Sequence, residues 1–335
     1  MATSNCTAVK TTVKNKTVAI IGSGFIGRSW AMLFAGAGYH VNLYDVNQDQ
    51  LKHALAEIKT DLRRLEKEDL LRTDLPVGVQ LDLIHVTDDL QKAMNNAIYC
   101  QECVWEDVQL KKDVFSKLDD LAGSGTILAS STSCILPSNI SEGLAHKAKF
   151  IVAHPVNPPF YCPLVELVAS EWTLPEVVSR TEHLMSEIGQ KPVRVKKECP
   201  GFILNRIQYA LLAECWRLIQ DGVADVEAVD LVMSEGLGLR YAFLGPMKVT
   251  HLNADGIEDY ARKYNNGYLN VCSTMGPAPS WSGALLDKVK YQLEKQIPKD
   301  KIGEMISWRN DCLAKMAKLK KETSTPNSHR NCSHN

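Results

Sequence analysis

The sequence lacks the features that would tie it to nucleic acid, to a membrane or to a metal. Its 335 residues carry a formal net charge of -1, so no excess of positive charge favours nucleic acid or an anionic membrane surface. It has no run of about 18 apolar residues that would predict a membrane-spanning helix. Its ten cysteines are scattered, and only Cys100 and Cys103 stand close together. We therefore expect free thiols in a reducing, cytoplasmic environment and no metal site.

The two ends of the chain are polar, and the middle is long enough for two domains. Residues 1–16 and 321–335 contain few apolar residues, and we expect a disordered leader and a disordered tail there. Hydrophobic residues make up 45% of the sequence, which is ample for the cores of two globular domains. A change of pattern near residue 198 predicts one domain over residues 17–198 and another over residues 199–320.

Apolar strands alternate with helices in the first domain. A continuous apolar run at residues 18–21 ends at a glycine, a helical pattern covers residues 25–37, and residues 40–45 alternate as a second strand. Further strands are predicted at residues 84–87, 97–100, 126–129, 150–153 and 163–168. This alternation predicts an α/β fold with a Rossmann-type doubly wound sheet. Beyond residue 200 only helical patterns remain, so we expect a C-terminal all-helical domain whose first, largely apolar helix is buried in that domain or in a homodimer interface.

The first strand runs into a loop with the glycine spacing of a dinucleotide site. The three glycines are Gly22, Gly24 and Gly27. They allow a tight turn, a close approach of the backbone to a pyrophosphate, and close packing of helix on strand. The amides of Phe25 and Ile26, at the start of the helix, are expected to face the phosphates. Asp45 ends the second strand, where it can accept both ribose hydroxyls and repel a 2′-phosphate, so the sequence predicts NAD rather than NADP.

Polar side chains follow two further strands. Ser133 lies in a hydroxyl-rich segment after one strand, and His154 follows another, at the edge where ligands bind in open α/β sheets. Glu166 stands among apolar residues of a third strand, where a half-buried acid needs a partner. His154 is the obvious partner, and a histidine oriented by a carboxylate can act as a general base. A purely structural histidine is the alternative.

Together these segments resemble the 3-hydroxyacyl-CoA dehydrogenase family, most closely its branch of lambda-crystallins and L-gulonate 3-dehydrogenases. The matching segments are GSGFIGRSWAMLFAGAGYHVNLYD, STSC, HPVNPPFYCPLVELV, PGFILNR and MSEGLGLRYAFLGP. They are spread over about residues 18 to 320, nearly the whole chain. The resemblance implies an enzyme that oxidises a 3-hydroxy group with NAD.

The resemblance also implies roles for individual residues. His154 would be the catalytic base and Glu166 its orienting acid, while Ser133 and Asn205 would hydrogen-bond the substrate oxygen. The family's further cofactor contacts fall on Glu106 and Lys111, on the nicotinamide side, and on Asn157. Trp105, just before the first of these, replaces the small residue or proline expected there.

The substrate is suggested by one arginine. Arg240 follows a glycine-rich turn, and arginine binds carboxylates bidentately, so we hypothesise that it clamps a free acid. No convincing lysine pair for CoA phosphates is found, because the basic residues of segment 59–67 are most simply a solvated helix face. We therefore expect oxidation of L-gulonate and related L-3-hydroxy acids. The alternatives are a short-chain 3-hydroxyacyl-CoA dehydrogenase, a lens crystallin recruited from the enzyme, and an Arg240 that is structural at a dimer seam.

Overall fold

The computed structural model describes residues 11–323, so most of the predicted leader and tail lie outside the described residues. The chain divides into two compact units. The first comprises the described residues up to Arg206 together with Leu313–Lys318, and the second comprises Ile207–Cys312 and the described residues from Leu319 on. Within residues 11–323, no helix is both long and apolar enough to cross a membrane.

The first unit is built on an eight-stranded sheet. Its strands are β1 (Thr17–Ile21), β2 (His40–Tyr44), β3 (Ile84–Thr87), β4 (Ala97–Glu102), β5 (Ile127–Ser130), β6 (Phe150–Pro155), β7 (Leu164–Val168) and β8 (Lys191–Val195). They are ordered β3-β2-β1-β4-β5-β6-β7-β8, and all neighbours are parallel except β6 and β7. The order reverses between β1 and β4, which is the switch point where such sheets bind ligands. The predicted Rossmann-type fold is confirmed.

Helices cover both faces of this sheet. They are α1 (Phe25–Gly36), α2 (Gln48–Lys67), α3 (Val77–Asp82), α4 (Leu90–Met94), α5 (Val108–Leu121), α6 (Pro137–Ser141) and α7 (Pro175–Glu187). Because strand side chains alternate, Ile20 joins the core with Trp30 of α1, and Ile21 joins a second core with Phe115 of α5. The two cores are the layered packing expected of a doubly wound sheet.

The second unit is helical, as predicted. Its helices are most of α8 (Leu204–Gln220), then α9 (Val226–Leu231), α10 (Gly238–Tyr241), α11 (Pro246–Leu252), α12 (Ile257–Ser273), α13 (Gly283–Gln296) and most of α14 (Ile302–Glu322). Helices α13 and α14 are separate, since Pro298 lies between them and cannot continue a helix. Helix α9 continues into α10 through one π-helical turn, Val232–Leu237.

The glycine loop is tightly packed at its third glycine. A Cβ atom added to Gly27 would lie 1.8 Å from the carbonyl oxygen of Gly22, which is far inside contact distance. Helix α1 can therefore start this close to β1 only because residue 27 has no side chain.

We predict that Gly27→Ala lowers the free energy of unfolding by about 2 kcal/mol or more, because the loop must open to admit the methyl group. Urea denaturation followed by far-ultraviolet circular dichroism measures the change. Gly78→Ala is the matched control, since outside its chain neighbours and the backbone of its own helix no described atom lies within 4 Å of a Cβ at Gly78. Equal stability of wild type and Gly27→Ala would contradict the close packing.

Candidate active site

The glycine loop leaves a backbone cradle at the carboxyl edge of the sheet. Gly22 has a φ of +102°, a conformation that favours glycine, and its amide donates to the carbonyl oxygen of Tyr44. Apart from its two neighbours in the chain, no described residue has an atom within 4 Å of a Cβ built on Gly24. Helix α1, which starts with Phe25 and Ile26, has no described side-chain cap and no acidic residue in its first turn. Such a helix start fits a pyrophosphate.

Asp45 lies beside this cradle, directly after β2. One carboxylate oxygen accepts hydrogen bonds from the amide of Ser23 at 2.9 Å and from its hydroxyl at 2.8 Å, and the other accepts from the amide of Asn47 at 3.1 Å. These contacts hold the carboxylate at the mouth of the glycine loop. Ser23 occupies a variable position of the glycine pattern, so the pattern alone does not predict this contact.

His154 and Glu166 are paired in the sheet. The antiparallel register of β6 and β7 sets the two residues directly opposite each other, so their side chains share one face. His154 Nδ1 lies 2.8 Å from Glu166 Oε2, and both side chains are buried. The other carboxylate oxygen accepts from the backbone amides of Ile203 at 2.8 Å and Leu204 at 2.9 Å. The predicted acid–histidine partnership is thus present in the geometry.

These contacts determine the charge of Glu166 and the tautomer of the histidine. Burial raises the pKa of Glu166, but hydrogen bonds from His154 and from the amides of Leu204 and Ile203 outweigh burial and lower it below its usual value. The side chain is therefore a carboxylate at neutral pH. A carboxylate at Nδ1 of His154 favours the tautomer with hydrogen on Nδ1 and a free lone pair on Nε2.

Ser133 is held by Glu106 and Asn205. Glu106 Oε1 accepts hydrogen bonds from the amide of Ser133 at 2.8 Å and from its hydroxyl at 3.2 Å. It also accepts from the hydroxyl of Thr132 at 2.6 Å. Burial opposes ionisation of Glu106, but Thr132, Lys111 and nearby amides lower its pKa. Asn205 Nδ2 donates to the carbonyl oxygen of Ser133 at 2.9 Å.

The residues at the start of α8 contact both the His154–Glu166 pair and Ser133. The amides of Ile203 and Leu204 bind Glu166, whereas the side chain of the next residue, Asn205, binds Ser133. Three consecutive residues therefore hold the histidine–acid pair on one side and the serine on the other. The division between the units falls after Arg206, so this whole arrangement belongs to the first unit, whereas the predicted boundary is at residue 198.

Lys111 is buried, although its sequence position suggests a solvated first turn of a helix. Its side chain is 1% exposed, and its ammonium donates to Glu102 at 2.8 Å and to the carbonyl oxygen of Val104 at 3.2 Å. It also lies 3.4 Å from the half-exposed carboxylate of Glu106. Burial raises the pKa of Glu102, against the opposing effect of Lys111. Glu102 ends β4 next to Gln101, and nothing in the sequence pattern distinguishes it as a buried partner of Lys111.

The remaining predicted residues are not joined to these groups by described contacts. Asn157 is exposed on the loop after β6, and Trp105 is 85% exposed. Arg240 is exposed on α10 of the second unit, and no hydrogen bond or ion pair of its side chain is found among residues 11–323.

Two family models match this chain over most of its length. The model described as 3-hydroxyacyl-CoA dehydrogenase, NAD binding domain, matches residues 17–199, and the model of the C-terminal domain matches residues 201–279. Among curated relatives, a human lambda-crystallin homolog is 48% identical over 91% of this chain and 96% of its own length. An L-carnitine dehydrogenase of Oceanobacillus iheyensis is 32% identical over 91% of this chain and 98% of its own.

Solved structures agree with these matches. An FHMPC 5-dehydrogenase, an NAD+-dependent dismutase, superposes with a TM-score of 0.79 at 27% identity, covering 91% of this chain and 98% of that one. The 3-hydroxybutyryl-CoA dehydrogenase of Escherichia coli K12 gives a TM-score of 0.63 at 29% identity, covering 72% of this chain and 50% of that one. The predicted family resemblance and the NAD cofactor are confirmed. The chain belongs to the 3-hydroxyacyl-CoA dehydrogenase family and is an NAD-dependent oxidoreductase.

Proposed function

We propose that this enzyme oxidises the 3-hydroxy group of free L-3-hydroxy acids, with L-gulonate as the leading substrate and 3-dehydro-L-gulonate as its product. The observation that carries the proposal is the buried His154–Glu166 pair, joined through the start of α8 to Asn205 and Ser133. One relative is named for L-carnitine, a 3-hydroxy acid that carries no CoA. This name supports a free acid as the substrate class.

His154 is the proposed general base. NAD, when bound, supplies the nicotinamide that accepts the hydride from the substrate carbon. Nε2 of His154 takes the hydroxyl proton, and Glu166 stabilises the resulting imidazolium while it keeps the ring in the required tautomer. Ser133 and Asn205 are proposed to hydrogen-bond the substrate oxygen in both of its oxidation states.

The proposed cofactor contacts follow from the cradle. Backbone amides at Phe25 and Ile26, with the three glycines of the loop, would bind the pyrophosphate, and Asp45 would accept the ribose hydroxyls and disfavour NADP. On the nicotinamide side, Glu106 is the exposed member of its pair, so we propose that Lys111 acts on the cofactor through Glu106. Asn157, exposed on the loop after His154, completes the proposed set.

The alternative substrate class is a short-chain 3-hydroxyacyl-CoA. Such a substrate would need basic side chains that bind the phosphates of CoA. Lys59, Arg63 and Lys67 are exposed on one side of α2, as expected for a solvated helix face, while Arg64 donates to the hydroxyl of Tyr161. Arg240 is exposed on α10, and we propose it as the clamp for a substrate carboxylate because arginine binds carboxylates bidentately. A recruited crystallin would keep the same fold, and the four proposed catalytic groups favour an active enzyme.

We predict that the wild-type protein reduces NAD, and NADP far more slowly, with L-gulonate, and that it turns over L-gulonate faster than 3-hydroxybutyryl-CoA. Steady-state absorbance at the NADH band measures both comparisons. Arg240→Ala should raise the KM for L-gulonate about tenfold, because a bidentate charged contact is lost. An unchanged KM would contradict the clamp, and faster turnover of the CoA ester would favour the alternative.

We predict that His154→Gln lowers kcat by about 100-fold or more, since no other group then takes the hydroxyl proton. The chain offers a matched control, because His146 Nδ1 pairs with Asp119 at 2.8 Å in a contact that takes no part in the proposed site. His146→Gln should leave kcat within about twofold of wild type. Full activity of His154→Gln would remove His154 as the base.

We also propose that the enzyme is a cytoplasmic homodimer formed through the second unit. Only four apolar side chains of this unit are buried among its described residues, namely Ile219, Val226, Val249 and Val289. Large apolar side chains such as Met247, Tyr268 and Trp308 are 71%, 63% and 61% exposed. So much apolar surface on about a hundred residues is typical of a face that a second copy covers. The described cysteines are free thiols, which supports a reducing compartment.

Sedimentation equilibrium should give twice the chain mass for the wild type. Met247 lines an apolar groove of about 520 Å³ with Leu244, Leu252 and Ile257. Met247→Asp should weaken the association about tenfold or more, because it sets a charge against apolar surface. Val193→Asp, at an exposed position of the first unit, is the control and should stay dimeric. A wild type that sediments as a monomer would exclude the dimer.

A further inference from the structure

A buried charge network lies beneath Ser133 and extends beyond the residues discussed as the site. Its centre is Glu102, whose side chain is fully buried at the carboxyl end of β4. One oxygen accepts from the Lys111 ammonium at 2.8 Å and from the amide of Val104 at 2.6 Å. The other oxygen accepts from the hydroxyl of Ser130 at 2.6 Å. Glu102 therefore binds α5, the segment after β4 and the end of β5, from which residues 131–134, the serine loop, continue.

One chain of contacts runs from Glu102 to the serine loop on the backbone side. The Ser130 hydroxyl that donates to Glu102 also accepts from the amide of Thr132 at 3.1 Å. In addition, the backbone carbonyl of Glu102 accepts from the amide of Ser131 at 2.9 Å. These bonds fix the direction in which the chain leaves β5 towards Ser133.

A second chain of contacts joins Glu102 to Ser133 through charged side chains. Lys111 lies between Glu102, at 2.8 Å, and Glu106, at 3.4 Å, so a single ammonium serves two carboxylates. Glu106 in turn binds both the amide and the hydroxyl of Ser133. Buried charges need partners, so the position of Lys111, and with it the support of Glu106, depends on Glu102.

We propose that Glu102 is a positioning residue for the reaction. Through Lys111 and Glu106, it fixes the orientation of the Ser133 hydroxyl. The proposal rests on the proposed role of Ser133 as a contact to the substrate oxygen. Glu102 touches neither substrate nor cofactor in this role. Its effect is to keep the serine loop in one conformation while the substrate oxygen changes its bonding.

The alternative is that the Glu102–Lys111 pair serves only folding. A buried ion pair can often be replaced by neutral groups of similar volume without loss of stability, whereas removal of one partner leaves an unpaired charge. The double variant Glu102→Gln with Lys111→Met therefore separates the two roles. It keeps the side-chain volumes and one acceptor oxygen, which can serve either the amide of Val104 or the hydroxyl of Ser130, but it removes the ammonium that supports Glu106.

We expect the double variant to denature in urea at nearly the wild-type midpoint, whereas Lys111→Met alone denatures at a clearly lower one. The kcat of the double variant should nevertheless fall about tenfold or more. Amide hydrogen exchange at Ser133 and Cys134, whose amides donate to Glu106, should become about tenfold faster or more.

Two further variants control the experiment. Glu106→Gln removes the last charged link and leaves the buried pair intact, so it should reproduce the loss of kcat at unchanged stability even if the double variant folds poorly. Lys14→Met with Glu187→Gln neutralises another pair, joined at 2.7 Å, and should leave kcat unchanged. Wild-type kcat and wild-type exchange in a stable double variant, or in Glu106→Gln, would overturn the proposal.

The exchange measurement needs no substrate, which keeps this proposal separate from the proposed function. A wild type that turns over only 3-hydroxybutyryl-CoA would overturn L-gulonate as the substrate, and kcat would then be compared on the CoA ester. Faster exchange at Ser133 and Cys134 in the double variant would still support Glu102 as the positioning residue.

Discussion

The hydrogen bonds from the amides of Ile203 and Leu204 to the Glu166 carboxylate hold the candidate site together. A buried carboxylate is costly unless donors surround it, and here two backbone amides and one imidazole provide them. The same bonds fix the first turn of α8, and thereby the side chain of Asn205 at Ser133. Stabilisation of one charge thus determines the positions of the base and of the groups proposed to bind the substrate oxygen.

The reversal of strand direction at β7, which β8 shares, makes this possible. A parallel strand in the place of β7 would run towards the same edge as β6 rather than away from it. The reversed β7 instead sets Glu166 directly opposite His154, which stands at the carboxyl end of its own strand. A strand that departs from the Rossmann pattern therefore supplies the acid to the edge where the cofactor loop lies.

Much of this arrangement could be predicted because each signal is local. The glycine spacing, Asp45 after β2, and an acid among apolar residues of β7 are all visible within a few positions. Strand β8 was not predicted, since only Val195 of this edge strand is buried and no alternating pattern results. Burial of Lys111 could not be predicted either, because its partner Glu102 comes from a different element and the sequence does not show which elements meet.

The buried pair of Glu102 and Lys111 has a consequence for how this sequence can diverge. A change at either position alone leaves a charge without a partner in the core, so most single substitutions there pass through a destabilised intermediate. The two positions are nine residues apart in the chain, yet substitutions at one are expected to depend on the residue at the other. In an alignment of descendants, residues 102 and 111 should change together or remain as they are.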